Sequence, residues 1–219
     1  MTVPVRVYIA DTSPLLDKGL FERIYDSVSE ARRIKTDRLR FDKDKRLSLG
    51  AEYLLMRALA DFGIEYAGYA MLTGPQGKPY LSGCPVQFNL SHSENRVMCT
   101  VSAAELGCDV EMVRSVELRL ARRFFAEDEF QLVSAYKNPA DMFYRLWTLK
   151  ESYIKCTGQG FSRPLNSFSV LPGPAECRVK QDFDVTLKEF DLNDGYKYAV
   201  CVKSQIGDIQ YELIKTDVR

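Results

Sequence analysis

Apolar and polar residues alternate from Val3 to Ala10, the period of a half-buried strand. The rhythm changes after Ser13-Pro14, where Leu20, Ile24 and Val28 recur at helical spacing. A longer helix is predicted from about Asp44 to Phe62, with Leu47, Leu54, Leu55, Ala58 and Leu59 as its apolar stripe and Gly63 as its stop. Thr73 to Pro79 reads as a turn-rich loop. Val86 to Leu90, Arg96 to Ser102 and Leu106 to Glu111 read as strands. Leu118 to Phe125 and Glu127 to Tyr136 read as helices. A further helix runs through Trp147 and Lys155, with Asp141 as its N-cap and Gly158 at its end. From Pro164 the pattern is mostly of strands: Phe168 to Leu171, Cys177 to Val179, Phe183 to Phe190, Tyr196 to Val202 and Ile209 to Ile214.

Each half of the chain thus offers a long helix and then antiparallel-looking strands. The strand Arg96 to Val101 resembles Tyr198 to Val202. An ancient duplication fits this, and so does chance likeness between two apolar strands. No Pro-, Gly- or Ser-rich linker divides the chain.

Composition narrows the setting. With 219 residues, the chain is long enough for one large domain or two small ones with real cores. Lys plus Arg equals Asp plus Glu, so no global field recruits nucleic acid or a membrane. An anion site must come from local clustering. One cluster is present: Arg32 to Arg46 holds eight Lys or Arg against three Asp, a net of +5. Its low aromatic content weighs against stacking on single-stranded nucleic acid. No apolar run suits a signal peptide or a membrane span. The six cysteines include no C-x-x-C pair, which argues against zinc ribbons and thioredoxin-type chemistry and suits free thiols in a reducing cytoplasm.

The chemistry-bearing residues are few. Asp109 and Glu111 lie two apart on a strand and share a face. Glu151 and Lys155 lie four apart on a helix and share a face, with Lys150 adjacent. Each pair alone is equally read as a solvated strand end or a surface ion pair. Together, three convergent carboxylates beside lysines suit a hard divalent cation holding a polyphosphate. His92 is the only histidine, so a multi-histidine zinc site is excluded. It stands in Asn89-Leu90-Ser91-His92-Ser93, a polar cluster whose hydroxyls, imidazole and turn amides suit an anion cradle. Neither a G-x-S-x-G elbow nor a P-loop or dinucleotide fingerprint is present.

Taken in order, these segments resemble the 4′-phosphopantetheinyl transferases of the Sfp type. The resemblance covers nearly the whole chain. It rests on Gly77-Lys78-Pro79, Phe88 to Ser93, Gly107 to Glu111, Arg123-Phe124-Phe125 with Glu129, Trp147 to Lys155, and Gly158-x-Gly160-Phe161. It implies an α+β fold of two similar α+β subdomains related by a pseudo-twofold, residues 1–103 and 104–219, with coenzyme A between them. It implies transfer of the 4′-phosphopantetheine arm of coenzyme A to a serine of an acyl or peptidyl carrier protein, releasing adenosine 3′,5′-bisphosphate. The expected ion is magnesium, with manganese as the alternative. The expected protein is a cytoplasmic monomer that engages neither nucleic acid nor membrane.

Carried over residue by residue, Asp109, Glu111 and Glu151 match the metal-binding carboxylates. Glu151 also matches the base for the serine, and Lys155 the lysine on the pyrophosphate. Asp109 and Lys155 thereby count both as catalytic and as coenzyme A-binding. Ser91 and His92, with Asn89 beside them, match the surroundings of the 3′-phosphate, and Arg33 and Lys35 its basic partners. Lys78 and Pro79 match the loop near the adenine. Lys150 is expected beside the pyrophosphate. Glu129 matches a recurrent acidic position without an assigned role. Cys108 and Val110 fill positions that the family usually gives to small or aliphatic residues.

Overall fold

The computed structural model describes residues 2–173, 177–203 and 208–219. The first part of the chain forms β1 (Val3–Asp11), α1 (Lys18–Ser27), α2 (Glu30–Asp37), α3 (Asp42–Ala60), a small hairpin of β2 (Met71–Thr73) and β3 (Pro79–Leu81), then β4 (Gln87–Ser93) and β5 (Arg96–Ser102). The second part forms β6 (Leu106–Met112), α4 (Leu118–Phe124), α5 (Glu127–Ala135), α6 (Pro139–Thr157), β7 (Val170–Leu171), β8 (Cys177–Val179), β9 (Asp182–Phe190), β10 (Tyr196–Lys203) and β11 (Ile209–Asp217). The fold is α+β. Among the described residues no helix is long and apolar enough to cross a membrane.

Two sheets stand at the centre, with strand orders β11-β1-β5-β4 and β6-β10-β9-β8-β7. Alternation along the strands gives each sheet two buried faces. On the first sheet Tyr8, Ala10, Val97, Cys99 and Val101 face α3, whose Leu47, Leu54, Leu55, Ala58 and Leu59 fill one core. The intervening residues Val5, Val7, Ile9 and Met98 meet Leu106, Cys108, Val110, Tyr198, Val200 and Val202 of the second sheet. On the far side Ala199, Cys201 and Leu187 pack under Leu146, Leu149 and Tyr153 of α6. The layers therefore run helix, sheet, sheet, helix. The order β1-β5-β4 repeats as β6-β10-β9, and the matching strands β5 and β10 are the two that resemble each other in sequence.

The last strand does not stay with the second sheet. β11 pairs in parallel with β1, Val5 opposite Tyr211 and Val7 opposite Leu213. Residues 209–217 thus complete the first sheet, across the boundary expected at 103.

Several helix limits differ from the sequence expectation, each for a local reason. Pro14 sits in a short 3₁₀ turn, and α1 begins only after Asp17, whose carboxylate accepts from Leu20 N at 2.8 Å. Part of the basic segment forms its own helix, α2, capped by Ser29 and tied to α3 by Arg32 on Glu52 at 2.7 Å. The N-cap of α6 is Asn138, with Pro139 in the first turn, where a missing N–H costs nothing. Asp141 instead pairs with Lys197 at 2.6 Å. Gly158 ends α6 at φ 67°, a left-handed residue that glycine adopts without a Cβ clash.

Gly107 fixes how closely α6 lies on the second sheet. A Cβ there would stand 2.2 Å from Ser152 O and 2.3 Å from Cys156 N, both backbone atoms. Replacing Gly107 by alanine must push the helix off β6. G107A is expected to lose about 2–4 kcal/mol in urea unfolding. G68A, where a Cβ meets nothing within 4 Å, is expected to change stability by less than about 0.5 kcal/mol. Equal small effects at both positions would contradict the close-packing account.

Candidate active site

The edge strands β4 and β6 belong to different sheets, yet their side chains and backbone interlock. Asn89 Oδ1 accepts from Cys108 N at 2.8 Å, Ser91 Oγ from Val110 N at 3.3 Å and Ser93 Oγ from Met112 N at 3.2 Å. Every second side chain of β4 thus satisfies an edge N–H of β6 that would otherwise be orphaned. The same two hydroxyls donate to the carboxylates: Ser91 to Asp109 Oδ1 at 2.7 Å, and Ser93 to Glu111 Oε2 at 2.8 Å.

Because Gly107 lets α6 settle on β6, Lys155 reaches the same place. Its Nζ donates to Asp109 Oδ1 at 2.6 Å and to Ser91 Oγ at 3.1 Å. Burial opposes the Lys155 ammonium, but Asp109, Cys108 and Glu151 together outweigh it and hold the pKa above the ordinary lysine value. Asp109 is 3% exposed, and its Oδ2 has no partner. Burial raises the Glu111 carboxyl to about 7, with the Asp109 charge adding to it and Ser93 opposing. Burial and then Asp109 also raise Glu151. Buried Asp109 thus acts on two partly buried carboxylates, Glu111 and Glu151, while Lys155 pairs with Asp109.

That surplus is a test for a cation. The donors are hard oxygens, one buried oxygen is orphaned, and two of the acids are pushed toward neutrality by burial first and the Asp109 charge second. Asp109, Glu111 and Glu151 fit magnesium, which takes a few carboxylates and completes its shell elsewhere. They do not form a closed cage: among the described residues no group of three His, Cys, Asp or Glu side chains is drawn together as a ready-made metal site.

Beside the carboxylates lies a cavity of about 520 Å³. Gln76 to Pro79, Asn89 and Leu90 wall it from the first half; Phe124, Trp147, Glu151, Ile154, Lys155, Gly158, Gly160 and Arg163 to Asn166 wall it from the second. Pro79 and Asn89 stand on this wall as expected for cleft residues. Lys78 also lines it, but its Nζ is held by Leu106 O at 2.7 Å, and burial lowers its pKa. His92 points to the opposite side of β4 from Ser91, since neighbouring strand residues alternate. Loss of hydration, followed by the Lys155 charge, lowers its pKa; Asp44 opposes this and Lys35 adds to it. His92 and Lys35 of α2 are thus electrostatic neighbours.

Over most of its length the chain matches proteins of known activity. It is 34% identical over 202 residues to a 4′-phosphopantetheinyl transferase of Bacillus subtilis, covering 85% of this chain and 87% of that one. It is 31% identical over 195 residues to the transferase Sfp of Bacillus subtilis strain 168, covering 82% and 84%. With the transferase psf-1 of Bacillus pumilus it shares 30% over 223 residues, covering 96% and 95%. The chain belongs to the 4′-phosphopantetheinyl transferase family. The model of the 4′-phosphopantetheinyl transferase superfamily matches residues 105–201, the span from the start of β6 to the middle of β10. This transferase therefore carries its carboxylates inside the matched region.

The structure does not bring every expected residue to the cleft. Lys150 is fully buried on the other side of α6, its Nζ 2.6 Å from both oxygens of Glu129 and 2.6 Å from Phe168 O. One residue along a helix turns the side chain by about 100°, so Lys150 and Glu151 cannot share a face. Glu129 thereby gains a role: its oxygens also accept from Val170 N and Ala126 N, joining α5, α6 and β7. Arg33 turns onto α1, donating to Asp26 O at 3.4 Å. Ser91 is committed to Asp109 rather than grouped with His92. Arg123, Trp147 and Arg163 line the cavity without having been singled out as binding residues. For Arg163 the sequence held little signal; in the fold it stacks 4.7 Å from Phe168 and donates to Tyr153 Oη at 2.8 Å. The side chain of Phe161, part of the Gly-x-Gly-Phe segment, lies outside the described residues.

Two outcomes follow. Lys150→Met should cost about 3–5 kcal/mol in chemical unfolding, because it strands a buried carboxylate. Unaltered stability with weakened coenzyme A binding would return Lys150 to the cleft. Glu111 supplies a pH test in metal-free protein. Its folded pKa of about 7 lies above the ordinary glutamate value of 4.5, so the unfolded chain ionises first as pH rises. Its cost to stability is nil below the unfolded value, grows between the two, and is complete above the folded one. Glu111→Gln should therefore stabilise the protein by on the order of 1–2 kcal/mol at pH 8 and not at pH 4. A gain of equal size at both pH values would contradict the crowding of these acids.

Proposed function

We propose that this transferase moves the 4′-phosphopantetheine arm of coenzyme A onto a serine hydroxyl of an acyl or peptidyl carrier protein, releasing adenosine 3′,5′-bisphosphate. The observation that carries the reading is the buried, unpartnered Oδ2 of Asp109, whose charge raises Glu111 and Glu151, with Lys155 donating to Asp109 and with Glu151 and Lys155 on the wall of the cavity. The halves, residues 1–103 and 104–219 with β11 lent to the first, act as the two jaws of the cleft.

In this reading Asp109, Glu111 and Glu151 hold magnesium, or manganese in its place. When bound, the ion supplies positive charge against the pyrophosphate. Lys155 exchanges its hold on Asp109 for the pyrophosphate and stabilises the charge that grows on the leaving side. His92, with Lys35, receives the 3′-phosphate, while the Lys78-Pro79 loop and Asn89 border the nucleoside. The serine oxygen bonds to the phosphorus that carries the pantetheine, and the bond from that phosphorus to the bridging oxygen breaks. The serine proton passes to Glu151 through a water or to its oxygen turned away from the ion, because a bound cation lowers the pKa of the carboxylate it touches. The reaction needs neither nucleic acid nor membrane, and we place it in the cytoplasm with the enzyme acting as a monomer.

The test is mass spectrometry of purified apo-carriers after incubation with enzyme, coenzyme A and magnesium. A phosphopantetheine mass gain on one carrier serine is expected, lost on chelation of the metal. Glu151→Gln should slow it by about 10² or more with the fold intact. Release of phosphopantetheine without carrier, or a normal rate in Glu151→Gln, would contradict the mechanism.

A further inference from the structure

Behind the wall formed by residues 74–78 lies a second cavity of about 240 Å³, bordered by Lys78, Tyr80, Gln87, Glu105 and, at its floor, Cys156. Cys156 follows Lys155 directly on α6. Its backbone N stands where a Cβ on Gly107 would be, 2.3 Å away. Gly107 is paired across the sheet with Cys201. The absent side chain at Gly107 thus lets Cys156 and Cys201 share one core, where Cys156 Sγ donates to Glu105 O at 3.6 Å.

The two thiols are not equivalent. The hydrogen bond from Cys201 lowers the Cys156 pKa against the effect of burial, and the Lys78 and Lys203 charges add to this. Burial pushes Cys201 well up. Elsewhere burial raises Cys99 well above the ordinary value and Cys108 and Cys177 to about 11. Nucleophilic sulfur chemistry needs access as well as ionisation, and Cys156 borders the rear cavity.

We propose that Cys156 and Cys201 form an oxidisable dithiol, reached through the rear cavity by a low-molecular-weight disulfide, that closes to a helix-to-strand cross-link beside Lys155. The Cys156 thiolate attacks one sulfur of the small disulfide; a new S–S bond forms, and the other sulfur leaves as a thiol after taking up a proton. Cys201, giving up its proton, then attacks Cys156 Sγ and expels the second half as a thiol. Two protein thiols are oxidised to one disulfide, and one small disulfide is reduced to two thiols. The cross-link ties the last turn of α6 to β10 and restrains Lys155. That consequence, unlike the thiol chemistry, rests on the role proposed for Lys155 above.

The experiment treats the full-length enzyme with cystamine, blocks remaining thiols, and maps peptides by mass spectrometry without reduction. Cys156–Cys201-linked peptides are expected in the wild type. Cys201→Ser should stop at Cys156 carrying one cystamine half, and Cys156→Ser should give neither product; thermal melts check that each variant folds, with Cys201→Ala replacing a variant that does not. Modification confined to the half-buried Cys84, or attack on Cys201 in Cys156→Ser at the wild-type rate, would overturn the assignment. Carrier modification should fall severalfold on oxidation and return with dithiothreitol, while Cys156→Ser stays insensitive. A complete cross-link with unchanged turnover would overturn the link to Lys155 but leave the mapped site standing.

Discussion

The seam between β4 and β6 is the constraint on which the site depends. Two sheets of similar strand order pack face to face and interlock along the edge strands β4 and β6, and exposed strand edges carry unpaired N–H groups. Here Asn89, Ser91 and Ser93 accept those of Cys108, Val110 and Met112. The seam closes the edge and at the same time sets Asp109 and Glu111 at the junction of the halves. A carboxylate pair on a free strand end would be hydrated and inert. Held by the seam and overlain by α6, Asp109 is buried and Glu111 half-buried beside it, with Lys155 on Asp109.

The helix that completes the site is anchored twice. Gly107 sets its distance from β6, and the buried Lys150–Glu129 pair fixes its other face against α5 and β7. Desolvation of such a pair offsets most of its attraction, so its value is in defining one packing rather than in added stability. Helix α6 is thereby a rigid platform that presents Glu151 and Lys155 to the cleft and Lys150 to the core. A positive charge inside an apolar core and a negative surplus at the cleft are two outcomes of one helix orientation.

Much of this was legible in the residues. Spacing of two on a strand and four on a helix paired Asp109 with Glu111 and Glu151 with Lys155, and both pairs share faces in the fold. The likeness of Arg96 to Val101 and Tyr198 to Val202 marked the two corresponding strands β5 and β10. Other features depend on contacts distant in sequence. Nothing in Ile209 to Asp217 says that it pairs with β1. The Ser-His-Ser run reads as one cradle until strand alternation sends His92 one way and the serines the other. Lys150 was misplaced by proximity to Glu151, although its position continues the stripe of Leu146, Leu149 and Tyr153. A lysine in such a stripe calls for a buried acid, and Glu129 is that acid.

The most direct measurement is a crystal structure of the enzyme with coenzyme A and manganese, using the anomalous signal of the metal. The account predicts one peak within ligand distance of Asp109, Glu111 and Glu151, a pyrophosphate beside Lys155, and Lys150 still on Glu129. A metal bound away from these carboxylates, or a coenzyme A whose pyrophosphate lies outside the cavity that Glu151 and Lys155 border, would contradict it.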